Sequence, residues 1–174
     1  MKLLIASDIH GDLVAAEAIL SLFYKESCDK ILLLGDILYH GPRNGVPNFY
    51  DPVKVARLLN DRKDRILAVR GNCDFGAKYP DVQNVEVGGK KIFVTHGHLF
   101  QVKFTPYNLI CAARENKADI VCFGHTHCAM NEYEDGLYIM NPGSCHGYCA
   151  SYGYIDITDK GDIVTNIVRL DREV

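Results

Sequence analysis

Over the first half of the chain, apolar residues fall in short continuous runs, and each run stops at a polar or glycine-rich turn. Residues 2–6 and 30–34 (Lys30-Ile31-Leu32-Leu33-Leu34) have strand length, and Ile66-Leu67-Ala68-Val69 reads as a third strand. Runs apolar at nearly every position suit strands covered on both faces, as in α/β sheets. Between the first two, Asp12 can cap a helix whose Ala15, Ile19, Leu22 and Phe23 repeat at helical spacing. Asp51-Pro52 opens a second helix carrying Val53, Val55, Ala56, Leu58 and Leu59.

The pattern then changes. Val82 to Val87, Gly88-Gly89 and Lys90 to Thr95 predict a hairpin with a tight glycine turn. A short helix near residues 106–116 leads to a strand from Asp119 to Phe123. Further strands are expected near 129–133, 137–140, 151–157 and 162–169, with turns at Glu134-Asp135-Gly136 and Asp159-Lys160-Gly161. An α/β first half and a hairpin-rich second half predict an α/β fold of two mixed β-sheets packed together, with helices outside. No linker or repeat divides it, so residues 1–174 are expected to form a single domain.

A formal charge of −3 and the lack of any polybasic arm argue against a nucleic-acid polymer as partner. The apolar run after Met1 is too short for a signal peptide, and no stretch can span a bilayer, so a cytoplasmic protein is the default expectation. Seven cysteines contain no CxxC pair, which points to separate thiols rather than a zinc knot or a disulfide framework.

The chemistry lies where the strands end. Asp8-x-His10 follows the first strand, Gly35-Asp36 the second and Gly71-Asn72 the third. His96-Gly97-His98 follows the hairpin strand, and Gly124-His125-x-His127 the next. Ligands of open α/β sheets bind beyond the strands' carboxyl ends. Imidazole and carboxylate together suit borderline divalent ions, and a central carboxylate such as Asp36 can bridge two of them.

These five blocks resemble the signature of calcineurin-like metallophosphoesterases. Within that superfamily the chain is similar to small bacterial and archaeal phosphodiesterases of the YfcE type, including the segment His40-Gly41-Pro42-Arg43-Asn44. The resemblance implies an αββα metallophosphoesterase sandwich with the sheets face to face. It implies that Asp8, His10 and His127 hold one ion, that Asn72, His96 and His125 hold another, and that Asp36 bridges them. A hydroxide between the ions would attack a small phosphodiester in line. Manganese suits the mixed donors, with iron, zinc or nickel as alternatives. Homodimers or homotetramers occur in the family.

The chain departs from the family after the Gly-Asn pair. Many members carry a histidine there to protonate the leaving oxygen, whereas this chain has Gly71-Asn72-Cys73-Asp74. Cys73 or Asp74 would have to stand in, and a thiol is a poorer acid near neutral pH than imidazole. Modest activity, best on activated or aryl esters, is therefore expected. His98 is expected beside the site or the substrate rather than on a metal. Arg43 and Asn44 are candidates for phosphate binding, and His40 for either substrate contact or simple solvation. Arg70 is set equally to meet substrate or to pair with a carboxylate. The Asn141-Pro142-Gly143-Ser144 turn should lie near the site, and Tyr148, Tyr152 and Tyr154 in core or interface. A phosphomonoesterase, or a non-catalytic scaffold like the retromer subunit of this fold, are the competing functions. The complete donor set favours an enzyme.

Overall fold

In the computed structural model, which describes residues 1–171, β1 (Lys2–Ala6) sends alternate side chains into two separate cores. Leu4 and Ala6 meet α1 (Leu13–Lys25) and α2 (Pro52–Asn60), whereas Leu3 and Ile5 face the second sheet. In β2 (Lys30–Leu33), Ile31 and Leu33 go to the helices and Leu32 goes inward. A strand buried on both sides must be apolar at successive positions, and this explains the continuous runs.

The first sheet continues through β3 (Ile66–Ala68), β9 (Ser151–Ile157) and β10 (Ile163–Arg169), in the order β10-β9-β1-β2-β3. The second holds β4 (Val82–Val87), β5 (Lys90–Thr95), β6 (Ile120–Cys122), β7 (Met130–Glu134) and β8 (Leu137–Asn141), in the order β4-β5-β6-β8-β7. Both sheets are mixed: β1, β2 and β3 run parallel, as do β5, β6 and β8, with antiparallel partners outside them. Ile92, Val94, Ile120, Cys122 and Met140 pack into the inter-sheet core, while Phe93, Val121 and Ile139 turn outward onto α3 (Tyr107–Glu115). The layers are therefore helices, sheet, sheet, helix.

Local signals hold the elements in place. Asp12 accepts from the Ala15 amide and Asp51 from the Lys54 amide, so both helices start at a capping carboxylate. Gly88 and Gly89 have φ of 56° and 74°, the paired positive values that a tight two-residue hairpin turn requires. Several strands are shifted or shorter than expected by a residue or two. Leu34 and Val69 are fully buried but lie outside their strands, because apolar burial continues into the turns that follow. All seven cysteines are free. Among the described residues, no helix is long and apolar enough to cross a membrane.

Candidate metal centre

The parallel strands β1, β2 and β3 of one sheet and β5 and β6 of the other deliver their carboxyl ends to a common rim. Asp8, His10, Asp36, Asn72, His96, His125 and His127 all lie just beyond those ends. Five of the seven have left-handed backbone: Asp8 (φ 54°), His10 (53°), Asp36 (50°), His125 (67°) and His127 (59°). Non-glycine residues seldom adopt this region, although Asp and His tolerate it better than most. Its concentration here marks loops whose conformation the surroundings over-determine. Gly71 shows how closely they approach: a Cβ there would stand 2.1 Å from Asp36 Oδ1.

Donor atoms gather in overlapping groups, with Asp8, His10 and His127 in one and Asp8, Asp36 and His96 in another. Asp8 Oδ1 lies 3.1 Å from His127 Nε2 and 3.6 Å from His10 Nε2. The two imidazole nitrogens are 3.4 Å apart. On the other side His96 Nε2 lies 3.1 Å from Asn72 Oδ1, 3.2 Å from His125 Nδ1 and 3.5 Å from Asp36 Oδ2. Donors about 2.1 Å from a shared ion stand roughly 3.0–3.4 Å from each other, so these spacings suit shared cations.

Two further observations bear on the fit. Asp8 Oδ1 is buried and makes no hydrogen bond, despite its nearness to His127. A buried carboxylate oxygen without a donor is costly unless a cation meets it. In addition, His10 Nδ1 and His96 Nδ1 point at the carbonyls of Tyr39 (2.9 Å) and Leu34 (2.7 Å). A carbonyl only accepts, so Nδ1 carries a proton in each case, and Nε2 is the nitrogen turned toward the centre.

The electrostatics follow from crowding. Burial is the largest influence on Asp36 and raises its pKa. The hydrogen bond and charge of His96, the Cys73 amide and the charge of His10 together outweigh it, so the carboxyl stays well below the usual range. Asp8 is lowered in the same way, with His127, His96 and the Ser7 hydroxyl set against burial. For His96 burial pulls downward, but Asp36 and Asp8 prevail and its pKa is raised. Burial lowers His10, and it pushes His125 down to about 4 with help from the charges of His96 and Lys103. Two ionised carboxylates thus face His10 and His125, which burial holds neutral, and His96, which they favour in its charged form.

The remaining candidates are placed as follows. Arg43 and Asn44 line a cleft of about 350 Å³ with Asp36, Asn72, His125 and His127. The Asn44 amide donates to the His40 carbonyl (2.8 Å) and to His10 Nε2 (3.2 Å). The His40 ring packs against Tyr39 and Tyr50 and is not among the residues lining this cleft. His98 sits beside the rings of His96 and His125, with Nδ1 buried and without a hydrogen bond, and burial lowers its pKa. Arg70 pairs with Asp81 at 2.7 Å.

Cys73 is buried at the cleft wall, and burial, with the charge of Asp36 second, pushes its thiol up to about 12. Asp74 accepts from the amides of Asp36 (2.7 Å), Ile37 (2.8 Å) and Gly71 (2.9 Å), which ties two of the donor loops together. Asn141 donates to the Gly124 carbonyl and the Thr126 hydroxyl, and Ser144 donates to the Asp8 carbonyl, so the expected turn does lie against the site. Tyr152 is buried and its hydroxyl bonds that of Tyr154, whereas Tyr148 is exposed. Sequence reasoning missed Lys103, a cleft residue outside every block, and Phe75, whose exposed ring adjoins the cleft.

A two-sheet sandwich with Asp, Asn and His at the rim has the architecture of the metallophosphoesterases, and residues 1–160 match the calcineurin-like phosphoesterase superfamily domain. The chain belongs to that superfamily. Phosphodiesterase YfcE of Escherichia coli strain K12 is 39% identical over 186 residues, covering 100% of this chain and 95% of that protein. The structure of E. coli YfcE superposes with a TM-score of 0.74 and 33% identity over the structurally matched residues, covering 98% of this chain and 100% of the other. Vps29 of Entamoeba histolytica, complexed with Zn2+, shares the fold at a TM-score of 0.71 and 20% identity, covering 98% and 100%.

Proposed function

We propose that this chain is a dinuclear metal-dependent phosphodiesterase acting on small diesters. Asp8, His10 and His127 would hold one divalent ion and Asn72, His96 and His125 the second, with Asp36 available to both. The observation that carries this reading is the convergence of seven donors on one rim, where a buried Asp8 oxygen has no hydrogen bond. Bound ions would supply charge to the phosphoryl oxygens and a water acidic enough to attack at neutral pH. Manganese suits the mixed nitrogen and oxygen donors, with iron, zinc and nickel as the other borderline choices.

The chain's own residues do the rest. Hydrogen bonds from Nδ1 to the Tyr39 and Leu34 carbonyls turn Nε2 of His10 and His96 toward the centre, and the Asn44 amide, which donates to His10 Nε2, would give up that bond to a bound ion. Arg43 and Lys103 give the cleft a positive wall for the phosphate. His98 lies close enough to bear on the ring of His96. Cys73 retains its proton at neutral pH and gives it up reluctantly, so the leaving group departs largely unprotonated. This favours leaving groups that are stable as anions. The phosphodiesterase name of the full-length YfcE relative supports diester preference.

The test is hydrolysis of bis-p-nitrophenyl phosphate against p-nitrophenyl phosphate, in protein stripped of metal and reloaded with each candidate ion. The diester should be turned over faster. Faster turnover of the monoester would reverse the assignment, and scaffold function alone would leave both untouched.

A further inference from the structure

Beside the metal cleft lies a second depression of about 520 Å³, lined by Leu38, Tyr39, Cys73, Phe75, Ala77 and Tyr79 among others. Cys73 and Phe75 also line the metal cleft, so the two hollows share a wall. Their chemistry differs. The metal cleft carries Arg43 and Lys103, whereas the only charged side chain lining the second hollow is Asp74, whose carboxylate is taken up by three backbone amides. Three aromatic rings stand open to solvent around it: Phe75 at 80% exposure, Tyr79 at 38% and Tyr39 at 37%. Tyr39 and Phe75 do not stack on each other, with centroids 6.2 Å apart and planes tilted by 56°. Tilted contacts of this kind leave most of the Phe75 ring open to solvent at the lip of a charged cleft.

We infer that this hollow is a subsite for the aromatic substituent, an aryl group or a nucleobase, of the diester whose phosphate occupies the metal cleft. The inference rests on the diesterase reading above. A single ring or base fits the volume, lacks the charge that the hollow has nothing to pair with, and gains a π face from Phe75 and Tyr79. Cys73 and Phe75 border both hollows, so a substituent that crosses this shared wall enters the second while the phosphoryl group stays beside Arg43 and Lys103. The chain thereby selects diesters by their organic arm, and Phe75 is the residue that determines the selection.

Equilibrium titration separates this from the metal-site reading. Methyl phenylphosphonate and methyl methylphosphonate are diester analogues with one charge each, differing by a ring, whose single ester bond carries a methoxide that this site expels poorly. Manganese-loaded protein should bind the phenyl analogue about tenfold more tightly, the size of one stacking contact. In Phe75→Ala the ratio should fall toward one, and in Phe75→Tyr it should persist. Phe75 is mostly exposed, so both variants should fold. Equal affinity for the two analogues in the parent protein, or an undiminished ratio in Phe75→Ala, would overturn the subsite while leaving the anion site standing. Failure of both analogues to bind would overturn the anion site and the subsite together.

Discussion

A thiol pushed up to about 12 at the cleft wall is a poor proton donor, and under the proposed mechanism this limits the leaving groups the site can expel. The resemblance to the superfamily implies an imidazole acid after the Gly-Asn pair, where this chain has Cys73. Cys73→His is predicted to raise kcat on alkyl diesters about tenfold or more, with little effect on p-nitrophenyl esters, whose phenolate needs no acid. The variant's rate on the alkyl substrate should also fall as the new imidazole loses its proton. An equal gain on both substrates, or none, would show that acid catalysis was not what the site lacked. The sequence exposed this departure plainly. It did not expose the role of Asp74, because a carboxylate in a loop gives no sign of which amides will reach it. Nor did it expose the left-handed backbone at Asp8, His10, Asp36, His125 and His127, since Asp and His are common in loops of every shape.

At the level of elements, strands were readable wherever burial matched the pleat. The runs at β1 and β2 and the Gly88-Gly89 hairpin were explicit, because two-sided burial and a tight turn each restrict composition. Strand ends were not, since Leu34 and Val69 remain buried after the ladder stops. The order in which strands join two sheets was also beyond reach, as β1 pairs with β9 through residues as far apart in sequence as Lys2 and Asp156. What joins the donor loops to one another is the three-amide grip of Asp74 across the ends of β2 and β3. Asp74→Ala should lower apo-protein stability by about 3 kcal/mol, because buried amides would lose a charged acceptor. It should also weaken metal binding, since Asp36 loses its support. Denaturant unfolding reads the first effect, and unchanged stability would remove Asp74 from this role.

For the molecule as a whole, the protonation of the rim couples stability to pH. His10, His98 and His125 have pKa values below the ordinary 6.5, that of His125 at about 4, so the unfolded chain binds protons there that the folded chain does not. Their contribution is complete above 6.5 and is lost as pH falls toward 4. His96 acts in the opposite sense: its raised pKa stabilises the fold below 6.5 and the gain disappears as pH rises through the folded value. The metal-free protein should therefore be most stable near pH 6.5 and lose Tm progressively between 6.5 and 4. A Tm rising across that window would contradict these assignments. Bound cations should shift the profile further toward acid intolerance, because protons compete for the same nitrogens.

The proposed catalysis depends on seven side chains from five strand ends serving one pair of ions. Metal content after equilibrium dialysis against manganese, measured by elemental analysis, addresses that most directly. Two ions per chain are predicted, with the count reduced in Asp8→Ala and in His96→Ala. A chain that retains no ion, or variants that bind as fully as the parent, would contradict the account.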